Sequence, residues 1–273
     1  MSRGAAAIFD LDRTLISTSS ATVFRAHLSA AGLGGSAELP LADVLTRFYE
    51  QFGETWILMQ PARLASRAAK GWSVETVKRA MEGAAEELAD LLLPGAAAAI
   101  EQHRSAGRRL VMATTSPLVF VKPFADRLGF DDVVATRWER TDGPDGEMFT
   151  GRMSGDFVWG RSKSDAVVQW ARDHDVDLSQ SWAYSDSYFD APLLAAVGHP
   201  VAVNPDAQLR VTATVRGWPV THFDRPDGVA KIAGRELQEW GRPFVRPEIL
   251  APYARIPFSG IVHIPTSGPA SVV

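Results

Sequence analysis

Apolar residues run without interruption from Ala5 to Phe9 and stop at Asp10. A short continuous apolar run of this kind marks a strand covered on both faces. Over residues 17–93 the period changes. Val77, Met81, Ala84, Leu88 and Leu91 recur at helical spacing, with Glu82, Glu86 and Glu87 between them, which predicts amphipathic helices. Ser73 is placed to cap that helix, and Gly71 and the 32–35 region break the block into separate helices. From Pro94-Gly95 onward the pattern alternates. It predicts helix at 96–106, strand at 109–113, helix at 116–128 and strand at 133–135. Helix at 162–174, strand at 181–184, a short helix at 191–197 and strands at 201–203 and 218–223 follow. Asp142-Gly143-Pro144-Asp145-Gly146 predicts a hairpin inside 140–154. Strands alternating with helices imply an α/β chain with a doubly wound parallel sheet. The expected organisation is a core of 1–16 and 94–223, an inserted all-helical block at 17–93, and a tail at 224–273.

Ligands of such sheets gather beyond the carboxyl ends of the strands. Asp10 and Asp12 fall at one such end, Thr114-Thr115-Ser116 at a second, and Ser185-Asp186 at a third. The chemistry available there is phosphoryl transfer. An aspartate can attack phosphorus and carry the phosphoryl group, while a second carboxylate moves a proton. Residues i and i+2 of a strand share a face, so Asp10 and Asp12 are expected to address one small volume. Thr114 offers a hydroxyl and Thr115 an amide to phosphate oxygens. Lys163 stands near the start of a predicted helix, where an anion is favoured. Asp190 can hold Lys163 or the waters of a metal. Mg²⁺ takes hard oxygen ligands, which Asp10 and Asp186 can supply. Plainer roles compete: Thr114 to Ser116 as a helix-capping cluster, and Asp190 as the cap of the helix after it.

Composition narrows the field. Apolar residues make up 46% and charged residues 22% of 273 positions, as in ordinary globular chains. The net charge is −4, so no basic footprint calls for nucleic acid. The chain has no cysteine, which excludes disulfides and thiolate metal sites. The N-terminus lacks the pattern of a secretory leader. The longest apolar patch, 88–100, is broken by Asp90, Pro94 and Gly95 and is too short to span a bilayer. These features predict a soluble cytoplasmic chain. The stretch 62–80 carries Arg63, Arg67, Lys70, Lys78, Arg79 and Trp72. It is either a solvated helix face or a peripheral contact with an anionic membrane.

The motifs DLDRT (10–14), ATTSP (113–117), Lys163 in GRSKSDA and YSDSYFDAPLL (184–194) together resemble the haloacid dehalogenase superfamily of phosphatases. The helical block resembles its type-1 cap, and YSDSYFDAPLLAAVGHPVAVNPD is similar to the phosphoserine-phosphatase-like branch, subfamily IB. The resemblance spans residues 5–225. It implies Asp10 as nucleophile and Mg²⁺ ligand, and Asp12 as general acid/base that also meets the metal through its carbonyl. It further implies Thr114, Thr115 and Lys163 on the phosphate, Asp186 as the second metal carboxylate, and Asp190 in support. Two departures stand out. Arg13 replaces a residue that is small in many members. Phosphoserine phosphatases carry a glutamate shortly after DxDxT, whereas residues 16–20 here read Ile-Ser-Thr-Ser-Ser and the next acid is Glu38. Arg63 or Arg67 is the candidate for an anionic group on the substrate. GIVHIPTSGPASVV (260–273) resembles the run-in to PlsC-type glycerolipid acyltransferases, without their HxxxxD motif. It suggests a C-terminal acyltransferase partner domain and a glycerolipid substrate: lysophosphatidate, phosphatidate or glycerol 3-phosphate. The expected activity is hydrolysis of a phosphomonoester. A phosphoserine phosphatase, a phosphotransferase with the same intermediate and a non-catalytic phospho-switch domain are the alternatives; the presence of Asp10, Asp12, Lys163 and Asp186 together favours the hydrolase.

Overall fold

The structure is a computed structural model that describes residues 4–33 and 65–224, and the backbone of 231–232 and 235–236. The ordered elements are β1 (Ala6–Phe9), α1 (Ser20–Ala30), α2 (Val74–Asp90), α3 (Pro94–Ser105), β2 (Arg109–Pro117), α4 (Leu118–Arg127), β3 (Asp132–Thr136), β4 (Trp138–Gly143) and β5 (Gly146–Met153). They continue with α5 (Arg161–Asp173), β6 (Trp182–Ser185), α6 (Ala191–Ala196), β7 (His199–Val203), α7 (Ala207–Arg216) and β8 (Val220–Thr221). Two compact units divide the chain, Met1–Pro226 and Asp227–Val273. Within the second, β9 (Lys231–Ile232) pairs antiparallel with β10 (Arg235–Glu236).

Six strands form one parallel sheet in the order β3-β2-β1-β6-β7-β8. The chain winds outward from β1 through β2 and β3, then returns to the other side of β1 at β6. The switch point, where such sheets bind ligands, is therefore beyond β1 and β6. All four residues of β1 are fully buried, because helices cover both faces. Side chains alternate across a strand. Ala6 and Ile8 accordingly join the cluster that includes Val167 and Trp170 of α5. Ala7 and Phe9 join the larger cluster with α2, α3 and α4.

The chain leaves and re-enters the sheet layer side by side. Ile16 bridges Leu92, and Leu93 N–H donates to the Leu15 carbonyl at 2.9 Å. Between these crossings α1 and α2 pack together, with Val77, Met81, Ala84 and Leu88 enclosed. The Ser73 hydroxyl caps α2 by accepting from Thr76 N–H at 3.3 Å, as its position predicts. The β4–β5 hairpin is present, and it docks on the 71–73 segment. Gly71 N–H donates to Phe149 O at 2.8 Å, and Phe149 N–H to Trp72 O at 3.0 Å.

Three local expectations need correction. β2 runs through Thr114, Thr115 and Ser116 to Pro117, so those residues are strand and not a helix cap. Pro117 takes the cap position of α4 with no side-chain cap bond. A proline disfavours helical backbone in the residue before it, which keeps Ser116 extended. The strand expected at 218–223 pairs only at Val220 and Thr221. Pro219, with no N–H, contributes only its carbonyl, to Ala202 N–H at 2.9 Å. β1 ends at Phe9, so Asp10 and Asp12 do not share one strand face. Among the described residues, no helix is long and apolar enough to cross a membrane.

Candidate active site

Asp10 leaves the end of β1 with its N–H donating to Tyr184 O of β6 at 3.0 Å. That bond locks it at the switch point, and the side chain is buried. Lys163 arrives from the first turn of α5. Gly160, at the cap position, has φ 57° and ψ −125°, a conformation open essentially to glycine alone. It turns the chain so that α5 begins directly against the site. Lys163 is completely buried, a rare state for a lysine unless its charge is met. Its Nζ donates to Asp10 Oδ1 at 2.7 Å and to Asp190 Oδ2 at 2.8 Å. A cation is disfavoured near a helix N-terminus, so these two carboxylates are what hold it there.

Asp190 has the cap position of α6 but makes no side-chain cap bond. Its Oδ2 instead accepts from Lys163 and from the Ser185 hydroxyl at 2.7 Å. Ser185 in turn accepts from Ser187 N–H at 3.2 Å, fixing the loop that carries Asp186. The plainer capping role is therefore replaced by the Lys163 contact. Ser185 is the residue that sequence reasoning left without a role; only its place beside Asp186 could have drawn notice.

Asp12 sits in the turn after β1, where its Oδ1 accepts from Ser20 N–H at 2.6 Å. It thus faces the first turn of α1. Burial pushes its carboxyl pKa upward, against the opposing pull of bonds from Ser20 and of the Lys163 and Arg13 charges. A carboxyl that keeps its proton more readily is suited to general acid/base work. Asp186 is buried at the end of β6 and pairs with Arg13, whose Nε lies 3.3 Å from Asp186 Oδ2. Asp206 N–H donates to Asp186 O at 2.9 Å.

Thr114 is buried in the carboxyl-terminal half of β2, where its Oγ1 accepts from Ser116 N–H at 3.2 Å. Thr115 Oγ1 and Asp190 Oδ1 are buried without a hydrogen-bond partner among the described residues. Unmet oxygens at one end of a sheet call for a ligand that satisfies them. Arg67 is exposed in a helical turn at 65–68, and Gly151 of β5 packs beside its carbonyl. Arg63, Glu38 and the acyltransferase-like run at 260–273 lie outside the described residues. No group of three or more His, Cys, Asp or Glu among the described residues could cage a metal alone. Mg²⁺ asks for less, since one or two carboxylates suffice with water and phosphate completing the shell. Asp10 and Asp186 are buried carboxylates of that kind.

A family model for haloacid dehalogenase-like hydrolases matches residues 7–195. The chain belongs to that family, and it is a phosphatase. It is 41% identical over 231 residues to the "Inhibition of morphological differentiation protein" of Streptomyces azureus, covering 81% of this chain and 79% of the relative. The phosphoserine phosphatase SerB1 of Mycobacterium tuberculosis is 35% identical, over 84% of this chain and 74% of its own. A histidinol-phosphatase of Neisseria meningitidis is 30% identical, over 80% of this chain and 98% of its own. Among solved structures, a Bordetella pertussis protein of unknown function superposes with TM-score 0.68 at 29% identity, covering 81% of this chain and 99% of that one. A phospho-aspartyl intermediate analogue of phosphoserine phosphatase superposes with TM-score 0.56 at 17% identity, over 89% and 100%, which speaks for the fold.

Proposed function

We propose that the chain is a Mg²⁺-dependent phosphomonoester hydrolase that works through an aspartyl-phosphate on Asp10. The observation that carries this reading is the fully buried Lys163 ammonium bonded to Asp10 and Asp190. It holds Asp10 aligned and next to a positive charge that a phosphoryl oxygen can share. An Asp10 oxygen attacks phosphorus, and the ester bond to the leaving oxygen breaks. Asp12 delivers its proton to that oxygen, then takes a proton from the water that attacks the aspartyl-phosphate. Inorganic phosphate leaves, and both carboxylates return to their starting states. Thr114, Thr115 and Lys163 orient the phosphoryl oxygens. Asp10, Asp186 and the Asp12 carbonyl would hold Mg²⁺, which when bound neutralises charge on the transferring group. Residues 17–93 act as the cap over this site in the same reading, with Arg63 or Arg67 toward an anionic substrate group.

For the substrate we favour a glycerolipid phosphate or glycerol 3-phosphate. Residues 16–20 hold no acid to grip a substrate amine, and the run at 260–273 is similar to the approach to a glycerolipid acyltransferase. A cytoplasmic site with peripheral membrane contact through 62–80, and a C-terminal acyltransferase domain as partner, belong to this proposal. The relatives supply the competing substrates, phosphoserine and histidinol phosphate. The test is phosphate release with Mg²⁺ from glycerol 3-phosphate, lysophosphatidate, phosphatidate, phosphoserine, histidinol phosphate and sugar phosphates, beside Asp10→Asn. Turnover of a glycerol-based ester, lost in Asp10→Asn and in EDTA, supports the reading. Preference for phosphoserine or histidinol phosphate overturns the substrate. Activity surviving Asp10→Asn overturns the mechanism.

A further inference from the structure

Arg13 is the second cation of the site, and it differs from Lys163 in every respect that matters. Lys163 is enclosed and held by two carboxylates. Arg13 has a side chain 27% exposed and forms an ion pair with Asp186, Nε to Oδ2 at 3.3 Å. Its Nη1 is buried with no hydrogen-bond partner among the described residues. Its backbone has φ 59°, a left-handed conformation that costs a residue with a side chain but not glycine. The strained turn sets the guanidinium against one of the two carboxylates that the proposed reading assigns to Mg²⁺.

A guanidinium and a divalent cation on one buried carboxylate repel each other strongly, because little water screens them. We propose that Arg13 is a positioning residue: an internal counterion that holds Asp186 in the metal-free site and surrenders it when the cation binds. Lys163 cannot play this part, since it has no route to solvent. Arg13 has one, through its exposed portion. The site therefore binds its cation by exchange, and Arg13 lowers cation affinity while holding Asp186 in place.

This inference rests on the metal-dependent reading above, and calorimetric titration with Mg²⁺ alone, without substrate, tests it. Arg13→Met removes the charge and keeps the bulk; Arg13→Lys keeps the charge. Arg13→Met is expected to bind Mg²⁺ about tenfold more tightly than the unaltered chain, and Arg13→Lys within about threefold of it. In the unaltered chain, the Arg13 side-chain Nε–H resonance, assigned by its loss in Arg13→Lys, is expected to shift as Mg²⁺ saturates. Equal or weaker Mg²⁺ binding by a folded Arg13→Met overturns the exchange. So does an Arg13 resonance that ignores saturating Mg²⁺, and this measurement decides the matter if Arg13→Met does not fold. The wider reading fails separately: phosphate release that persists in EDTA sinks metal dependence together with the exchange. Arg13→Met that binds Mg²⁺ no tighter, while EDTA still abolishes phosphate release, sinks the exchange alone.

Discussion

Tyr184 and Ser185 are neighbours on β6, yet each feeds a different buried polar cluster. Successive side chains of a strand point to opposite faces. Ser185 joins Asp190, Lys163 and Asp10 at the site, a network of full charges. The Tyr184 side chain joins the other layer, where its hydroxyl meets His103 Nε2 of α3 at 2.7 Å, and Arg108 lies 3.1 Å from His103 Nδ1. Arginine can only donate, so Nδ1 accepts and Nε2 carries the proton. That histidine is neutral: burial, helped by Arg108, brings its pKa down to about 4. Burial likewise raises the Tyr184 hydroxyl to about 12. His103 and Tyr184 thus stay neutral from mildly acidic to strongly basic pH, beside the charge of Arg108. One cluster is arranged to stabilise; the other keeps charges out of water, which is costly for folding and useful for chemistry.

The sharpest way to break this comparison is Lys163→Met. Removing one partner of a buried ion pair leaves the others uncompensated and typically costs about 3–5 kcal/mol. The expected outcome is a loss of that order in denaturant unfolding at neutral pH, because Asp10 and Asp190 are left facing each other. Phosphate release should fall by at least about 10²-fold, the scale of losing one electrostatic stabiliser. A variant that unfolds as the unaltered chain does would show that the Lys163 cluster is not under electrostatic tension.

Much of this was legible beforehand because it was written in short range. The unbroken apolar run of β1, the period of α2 and the turn residues 142–146 each named their element. Asp10, Thr114, Lys163 and Asp186 stand at the ends or starts of those elements, so their convergence followed from topology. What could not be read depended on distance through space. Asp190 sits just before a helix and has the sequence of a cap; only the arrival of Lys163 from α5 turns it away. Thr114 to Ser116 have the sequence of a capping cluster, and Pro117 keeps them extended. Arg13 stands out only as a departure within DLDRT; its left-handed backbone and its partner 173 positions away are not legible there. His103 has no ligand spacing in the sequence, and burial, with Arg108 beside it, sets its chemistry.

The next effect is a pH dependence at His103. His103 has a folded pKa of about 4, against 6.5 for the unperturbed group. Between these values the unfolded chain binds a proton that the folded chain does not. The stability that depends on His103 staying neutral is complete above pH 6.5 and is lost as pH falls toward 4. The slope approaches about 1.4 kcal/mol per pH unit for one proton. His103→Gln keeps an acceptor for Arg108 and a donor for Tyr184 but does not titrate. Its stability curve should therefore run flatter than that of the unaltered chain over this window. Parallel curves would mean that His103 is charged in the folded protein.

The smallest effect is the most discriminating. Ser185→Ala and Tyr184→Phe each delete one hydroxyl from adjacent residues, one from each cluster. Each should cost about 1–2 kcal/mol in unfolding, since each leaves a buried partner short of one hydrogen bond. Function should separate them. Ser185 holds the Asp190 oxygen that also receives Lys163, so its loss loosens the group aligned on Asp10 and should lower kcat severalfold with KM little changed. Tyr184 meets the site through its backbone carbonyl, which accepts from Asp10 N–H and survives the substitution. Tyr184→Phe should therefore leave kcat as it is. If both variants slowed turnover alike, the two clusters would be one coupled network through β6, and opposite-facing side chains would not insulate the chemistry from the core.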